Sequence, residues 1–194
     1  QLDHVGGLAW ILAHFQVEKF WTNGAARHEE FWRRIERVMV QRKLEATVAT
    51  EGRLISEGPA CRMVVLNPQP RPESSISAKS ESLNNLSVVT ELVCREQRVL
   101  FTGDIEREAL TRLTHSGNSA HIALLKVPHH GAKSSLERRW LETIRPAVGV
   151  VSAGRRNPYG HPAGEVLAAY QAVETQVWRT DRDGAIWADL DLTR

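Results

Sequence analysis

The chain has 194 residues, 42% of them apolar and 25% charged, with a formal net charge of +2 and a pI of 8.7. That length and composition fit a globular body with a sizeable core and exclude a disordered tail. A nearly balanced charge excludes capture of an anionic polymer by a global field, so any such affinity must come from local placement.

Apolar runs fall short of the length that crosses a bilayer, and the N-terminus lacks the order of a signal peptide, so the segment itself reads as soluble. It opens on Gln1-Leu2-Asp3-His4, a charged, metal-capable cluster. Natural domains rarely start inside a motif, so a fragment whose preceding segment is missing is expected. Val5-Gly6-Gly7 then permits a turn into Leu8–Phe15, whose apolar density predicts a buried helix with His14 packed in it. Gln16–Trp21 alternates as a short strand, and Thr22-Asn23-Gly24 is a turn signal. In His28–Leu44 the residues Phe31, Trp32, Ile35, Val38 and Met39 recur at three and four, the spacing of an amphipathic helix. Thr47–Leu66 holds short β-like runs broken by Glu51-Gly52 and Glu57-Gly58, which predicts a meander.

Gln69–Glu81, rich in Pro, Ser and charge, is the one long loop, and no second domain is expected beyond it, so 1–194 reads as one domain. Ser87–Arg95 and Arg98–Phe101, separated by Glu96-Gln97, predict a hairpin, and Ile105–Leu113 a helix. Ile122–Val127 is the next apolar run. Ser134 or Ser135 can cap a helix through Leu136–Ile144, ended by Pro146. A strand at Val148–Ser152, a helix at Ala163–Val173 and β-like runs at Thr175–Arg179 and Ala185–Leu190 complete an α/β pattern. Cys61 and Cys94, far apart and both in strand-like stretches, read as buried free thiols. The six Trp fall mostly on apolar faces and read as core.

Two polar clusters stand at strand ends: Thr102-Gly103-Asp104 and Pro128-His129-His130-Gly131. The strand, helix, strand unit between Val99 and Val127 brings both ends to one edge, where Asp104 and His130 can share a metal. Asp3 and His4 supply a second carboxylate and imidazole. Four N/O ligands of this type suit Zn²⁺ or, with more oxygen and water, Mn²⁺. Lys133, Ser134 and Ser135 follow at the predicted helix start, where free N–H groups favour an anion; the plain alternative is a solvated Lys and a capping Ser. Arg155, Arg156 and Asn157 approach the same edge, and His161, between Gly160 and Pro162, either reaches it or fixes a turn. His28, His115 and His121 read as surface or edge residues.

Asp3-His4-Val5-Gly6-Gly7, Thr102-Gly103-Asp104 and Pro128-His129-His130-Gly131 together resemble the metallo-β-lactamase superfamily. Asn84-Asn85-Leu86-Ser87, Phe101 to Glu106, Lys126 to Gly131, Asn157 to Pro162 and Arg179 to Ala185 resemble the C-terminal domain of the ComEC family of DNA-uptake proteins. The resemblance implies an αββα sandwich, here lacking its opening strands, with a metal site at one sheet edge. Asp3 and His4 then match the end of the H-x-H-x-D-H motif and bind one metal with His130, while Asp104 takes the place of the bridging carboxylate. His129 would orient substrate or a ligand, although the motif alone does not separate the two histidines. Asn84, Asn85, Lys133, Ser134, Ser135, Asn157 and His161 are the substrate-contact candidates. Gln1 stands where the pattern has His or Asp, and Asn84 and Asn85 stand in the region of the missing middle His, so one metal site is implied and the second is incomplete.

The implied activity is metal-dependent phosphodiester hydrolysis of single-stranded DNA during uptake, with Asp3, Asp104 and His130 catalytic. The parent would be a polytopic bacterial inner-membrane protein carrying this piece as a soluble tail. Its partners would be the parent's transmembrane channel and other DNA-uptake proteins. A catalytically silent DNA-guiding or assembly domain is the alternative, and a small-molecule metallo-hydrolase a further one.

Overall fold

Apolar residues cluster into two separate cores in the computed structural model, which describes residues 2–25, 30–70, 82–115 and 121–190. The chain divides accordingly into two compact units, one within Gln1–Ala49 and one within Thr50–Pro70 and Ala78–Arg194.

The first unit runs α1 (Leu2–Val5), α2 (Leu8–His14), β1 (Phe20–Thr22), α3 (Glu30–Arg42) and β2 (Ala46–Val48). Ala9 and Leu12 of α2 meet Ile35 and Met39 of α3, a pair four residues apart and therefore on one helix face. β1 and β2 pair in parallel, Phe20 opposite Ala46. The expected strand thus starts at Phe20 rather than Gln16. His14 is exposed rather than packed: it ends the helix, its Nδ1 meets the Trp10 carbonyl at 2.8 Å, and its ring stacks on Trp10.

The second unit is built on a seven-stranded mixed sheet in sequential order. β3 (Leu54–Glu57), β4 (Cys61–Asn67), β5 (Val89–Cys94) and β6 (Gln97–Phe101) form the antiparallel meander. β7 (Leu124–Lys126), β8 (Val148–Val151) and β9 (Gln176–Arg179) continue it in parallel, connected by helices α4 (Arg107–His115), α5 (Arg138–Ile144) and α6 (Gly164–Ala172). Parallel neighbours need a crossover connection, and each helix supplies one. Ala109, Leu110, Trp140, Leu141, Ile144, Val166 and Ala169 from these helices share a core with Leu100, Leu125, Val127 and Val151 of the strands. A large mixed sheet with helical crossovers is the α/β class expected from the sequence. The ends of β6 and β7, joined through α4, lie side by side, Phe101 paired with Lys126.

Further sequence expectations change. Cys61 and Cys94 are not free thiols but a disulfide, because strand register sets them directly opposite each other on β4 and β5 with Cα atoms 4.1 Å apart. The hairpin turn falls on Arg95-Glu96, one residue early, since Arg95 takes the positive φ of 54° that a two-residue turn requires. Neither Ser134 nor Ser135 caps α5: both lie in a 3-10 turn, Lys133–Ser135, and the cap is Glu137, whose side chain accepts from the Arg139 N–H. Ala185–Leu190 forms no strand; a short helix α7 (Thr180–Asp183) follows β9 and turns the chain away before the alternating run begins. Trp187 there is 92% exposed, and only Trp140 of the six Trp is fully buried among the described residues. The 69–81 loop falls mostly on 71–81, and His28 on 26–29, outside the described residues.

Candidate metal centre

Two tight turns make the edge. After β6, Gly103 takes φ 56°, and a Cβ there would sit 2.7 Å from the Ser87 Cβ, so only glycine fits. After β7, His129 and His130 both take positive φ, 46° and 55°, an uncommon conformation for non-glycine residues. The two turns are bonded to each other, the His129 N–H donating to the Gly103 carbonyl at 3.1 Å. Gly131, at φ 78°, lets the His161-Pro162 turn approach so closely that a Cβ would lie 2.6 Å from that of Pro162.

Asp104 is 3% exposed. Its Oδ2 lies 3.6 Å from His130 Nε2 and its Oδ1 lies 3.5 Å from Lys126 Nζ. His130 Nδ1 is 2.7 Å from the Ser152 carbonyl, which can only accept, so the proton sits on Nδ1 and the Nε2 lone pair faces Asp104. A carbonyl behind the imidazole is the usual way a ligating histidine is oriented. Two donors each about 2.1 Å from a tetrahedral cation stand roughly 3.4 Å apart. The Asp104 and His130 donors therefore fit one divalent cation by spacing and by chemistry.

A second layer holds this pair in place. Ser87 Oγ accepts from the Asp104 N–H at 3.0 Å, and Asn85 Oδ1 from the Glu106 N–H at 2.8 Å. Asn85 donates to Glu108, and Asn84 to Glu106 at 3.2 Å. Both amides thus bond the loop and the helix start after Asp104. Thr102, fully buried, donates to the Lys126 carbonyl at 2.7 Å and ties the two strand ends. Lys126 Nζ donates to the Gly103 carbonyl at 2.8 Å.

Glu106 is the hub of the outer site. Ser134 Oγ donates to it at 3.1 Å, and His129 Nδ1 lies 3.4 Å from it and from Ser134 Oγ. Burial alone would raise the Glu106 carboxyl, but hydrogen bonds from Asn84, Ser82 and Ser134, with the nearby His129, hold it below the ordinary glutamate value. His161 stands 6.0 Å from His129, ring to ring, and stacks on Tyr159. Burial, then the nearby His129 and His130, push its imidazole below the usual histidine range.

The second unit thus gathers Asp104, His129, His130, Ser134 and His161 around one edge, with Asn84 and Asn85 supporting it. Asn157 reaches the edge through backbone: its side chain donates to the Gly154 and His161 carbonyls and accepts from the His161 N–H, fixing the turn that presents His161. Lys133 is paired with Glu165. Ser135 is buried, donating to the Pro128 and Ala132 carbonyls. Asp3 and His4 belong to α1 of the other unit. Sequence reasoning missed Lys126 and Glu106. Both sit inside the quoted motif stretches, but Lys126 is not a ligand by residue type, and the partners of Glu106 could not be foreseen from spacing.

No protein-family model matches the chain. It is 27% identical over 190 residues to ComE operon protein 3 of Bacillus subtilis, covering 95% of this chain and 23% of that protein. Recombination protein 2 of Haemophilus influenzae is 33% identical over 88 residues, 45% of this chain and 11% of the relative. Uncharacterized protein YcaI of Escherichia coli is 30% identical over 97 residues, 50% of this chain and 13% of the relative. The chain therefore spans under a quarter of the length of these relatives. Among solved structures, a Parabacteroides distasonis protein described by inference as a metal-dependent hydrolase superimposes with a TM-score of 0.48 at 10% identity, over 88% of this chain and 79% of that one.

Proposed function

We propose that this chain, homologous to ComE operon protein 3 and Recombination protein 2 over much of its length, is a metal-dependent phosphodiester hydrolase domain acting on single-stranded DNA during uptake. The observation that carries the reading is the Asp104–His130 pair, two nearly buried donors at 3.6 Å with the imidazole oriented by the Ser152 carbonyl. Asp104 and His130 would hold the cation, Zn²⁺ or Mn²⁺ by the mixed N/O donor set, and the motif resemblance supplies Asp3 and His4 as candidates for further ligands. When bound, such a cation lowers the pKa of a water and offsets charge on phosphoryl oxygens.

The chain's own groups do the rest. The turn around Gly103 and the bonds accepted by Ser87 and Asn85 fix the backbone that carries Asp104 before substrate arrives, which limits reorganisation at the reacting step. Lys126 adds a fixed positive charge beside that carboxylate. His129, with Glu106 and Ser134 on its Nδ1 side, and His161 line the outer edge, where a phosphate would be oriented.

The test is cleavage of a labelled single-stranded oligonucleotide under Mn²⁺ or Zn²⁺ titration. Turnover that requires the metal, stops with chelator and is lost in Asp104→Ala is expected; no metal-dependent cleavage, with the variant indistinguishable from wild type, overturns the reading. Lys126 also favours a second reading, because an ammonium 3.5 Å from Asp104 Oδ1 already occupies one side of the carboxylate. A silent DNA-guiding or assembly domain would bind DNA equally with and without chelator and never cleave it. Under either reading the parent we propose is a bacterial inner-membrane protein, with its channel portion and other DNA-uptake proteins as partners; among the described residues no helix is long and apolar enough to cross a membrane.

A further inference from the structure

Beyond Ser134 the site opens into a groove of about 430 Å³ lined by Arg107, Lys133, Ser134, Leu136 and Glu165. We infer that this groove is a subsite for the backbone of a nucleic-acid strand, holding a phosphate next to the one handled at Asp104 and His130. The inference rests on the phosphodiester reading of that edge and assigns where the neighbouring phosphate of the same strand is held.

Continuity comes from Ser134, whose Oγ meets Glu106 and His129 on one side while the residue lines the groove on the other. Two cations converge on the groove from different elements, Arg107 from the start of α4 and Lys133 from the turn after His130. Arg107 Nε donates to the Leu136 carbonyl at 3.1 Å, which anchors the side chain by one nitrogen. A guanidinium held there still has a fork that matches two oxygens of a phosphate.

Lys133 Nζ lies 3.0 Å from Glu165 Oε1, with the two side chains 76% and 39% exposed. An ion pair so open to water is held weakly, so an incoming phosphate can take the place of the carboxylate. Glu165 thereby acts as a competitor that the correct anion must displace, and Leu136 offers an apolar wall to a sugar. A substrate with a single phosphate would need only the Asp104 edge. The second pair of cations has a use only when the chain of phosphates continues. Because the net charge of the whole protein is only +2, this local arrangement and not a general field would set the affinity.

The test is fluorescence anisotropy of a labelled single-stranded oligodeoxynucleotide in excess chelator, at several salt concentrations. Arg107→Gln and Lys133→Gln are each expected to weaken binding several-fold and to lower the slope of log K against log salt by about 0.7, the value of one released contact on a single strand. Arg107→Lys should keep the slope and recover only part of the affinity, which separates lost charge from lost folding. Glu165→Gln should tighten binding. Slopes unchanged in both neutralising variants, or no binding by the wild-type chain, overturn the subsite. Slope changes in a protein that never cleaves DNA would sink the hydrolase reading and leave the subsite standing; cleavage with unchanged slopes would do the reverse.

Discussion

Two charged pairs on neighbouring strands of the same sheet behave differently. Glu91 on β5 and Asp104 after β6 are equally buried, each 3% exposed. Glu91 is closed on both oxygens by Arg98, with Nε and Nη2 at 2.8 Å. Asp104 faces Lys126 at 3.5 Å and His130 at 3.6 Å, longer than close hydrogen bonds. The cause is visible in the partners. Lys126 Nζ is drawn to the Gly103 carbonyl at 2.8 Å and His130 Nδ1 to the Ser152 carbonyl at 2.7 Å, so neither can close on the carboxylate. Arg98 closes on Glu91 and ties β5 to β6, whereas Lys126 and His130 stand beside Asp104 at longer range with their own hydrogen bonds to backbone carbonyls.

The largest break is expected at the open pair and in activity alone. Asp104→Asn should lower metal-dependent cleavage by roughly a thousand-fold, about 4 kcal/mol, in steady-state assays. Its metal-free stability in urea should stay within about 0.5 kcal/mol of wild type, because asparagine keeps the size and polarity of the side chain. Glu91→Ala should do the opposite, costing about 2–3 kcal/mol in urea unfolding, at the low end for a buried pair because Arg98 is partly exposed and can rehydrate. A loss of activity in Glu91→Ala protein that is still folded would break the contrast.

Gly103→Ala should cost about 2 kcal/mol, since the added Cβ meets Ser87 and the φ is positive, and it should also weaken metal binding by moving Asp104. Calorimetry with Mn²⁺ measures the second effect. The smallest effect is at His161. Burial and the two neighbouring histidines hold its folded pKa below its unfolded value of about 6.5. Its neutral form is therefore favoured in the fold: the contribution is complete above that unfolded value and is lost as pH falls through the folded pKa. In metal-free protein, an imidazole titration by NMR should place His161 below the ordinary range, and His161→Gln should flatten the acid limb of stability.

Much of the second unit was legible. The unit β6, α4, β7 announced itself by a strand pattern, a 3.6-residue period and a second strand, and it delivered Asp104 and His130 to one edge as expected. Asn84 and Asn85 were visible as a motif but not as supports, because their partners Glu106 and Glu108 lie more than twenty residues away and meet them only in the fold. The disulfide was missed for the same reason: Cys61 and Cys94 are 33 residues apart, and only the β4–β5 register sets them face to face. Alkylation before and after reduction should label no cysteine and then two. The start of α5 was misread because a serine after a turn is a good cap by type, whereas Ser135 turned inward to the Pro128 carbonyl.

Residue order by itself determined the α/β class and the identity of the donors at the strand ends, since these depend on apolar periodicity and side-chain chemistry. Tertiary structure alone decided which nitrogen of His130 faces Asp104, that Lys126 and Glu106 belong to the site, and that Arg107 and Lys133 share a groove. Those facts are distances between residues far apart in the chain, and distance is set by packing.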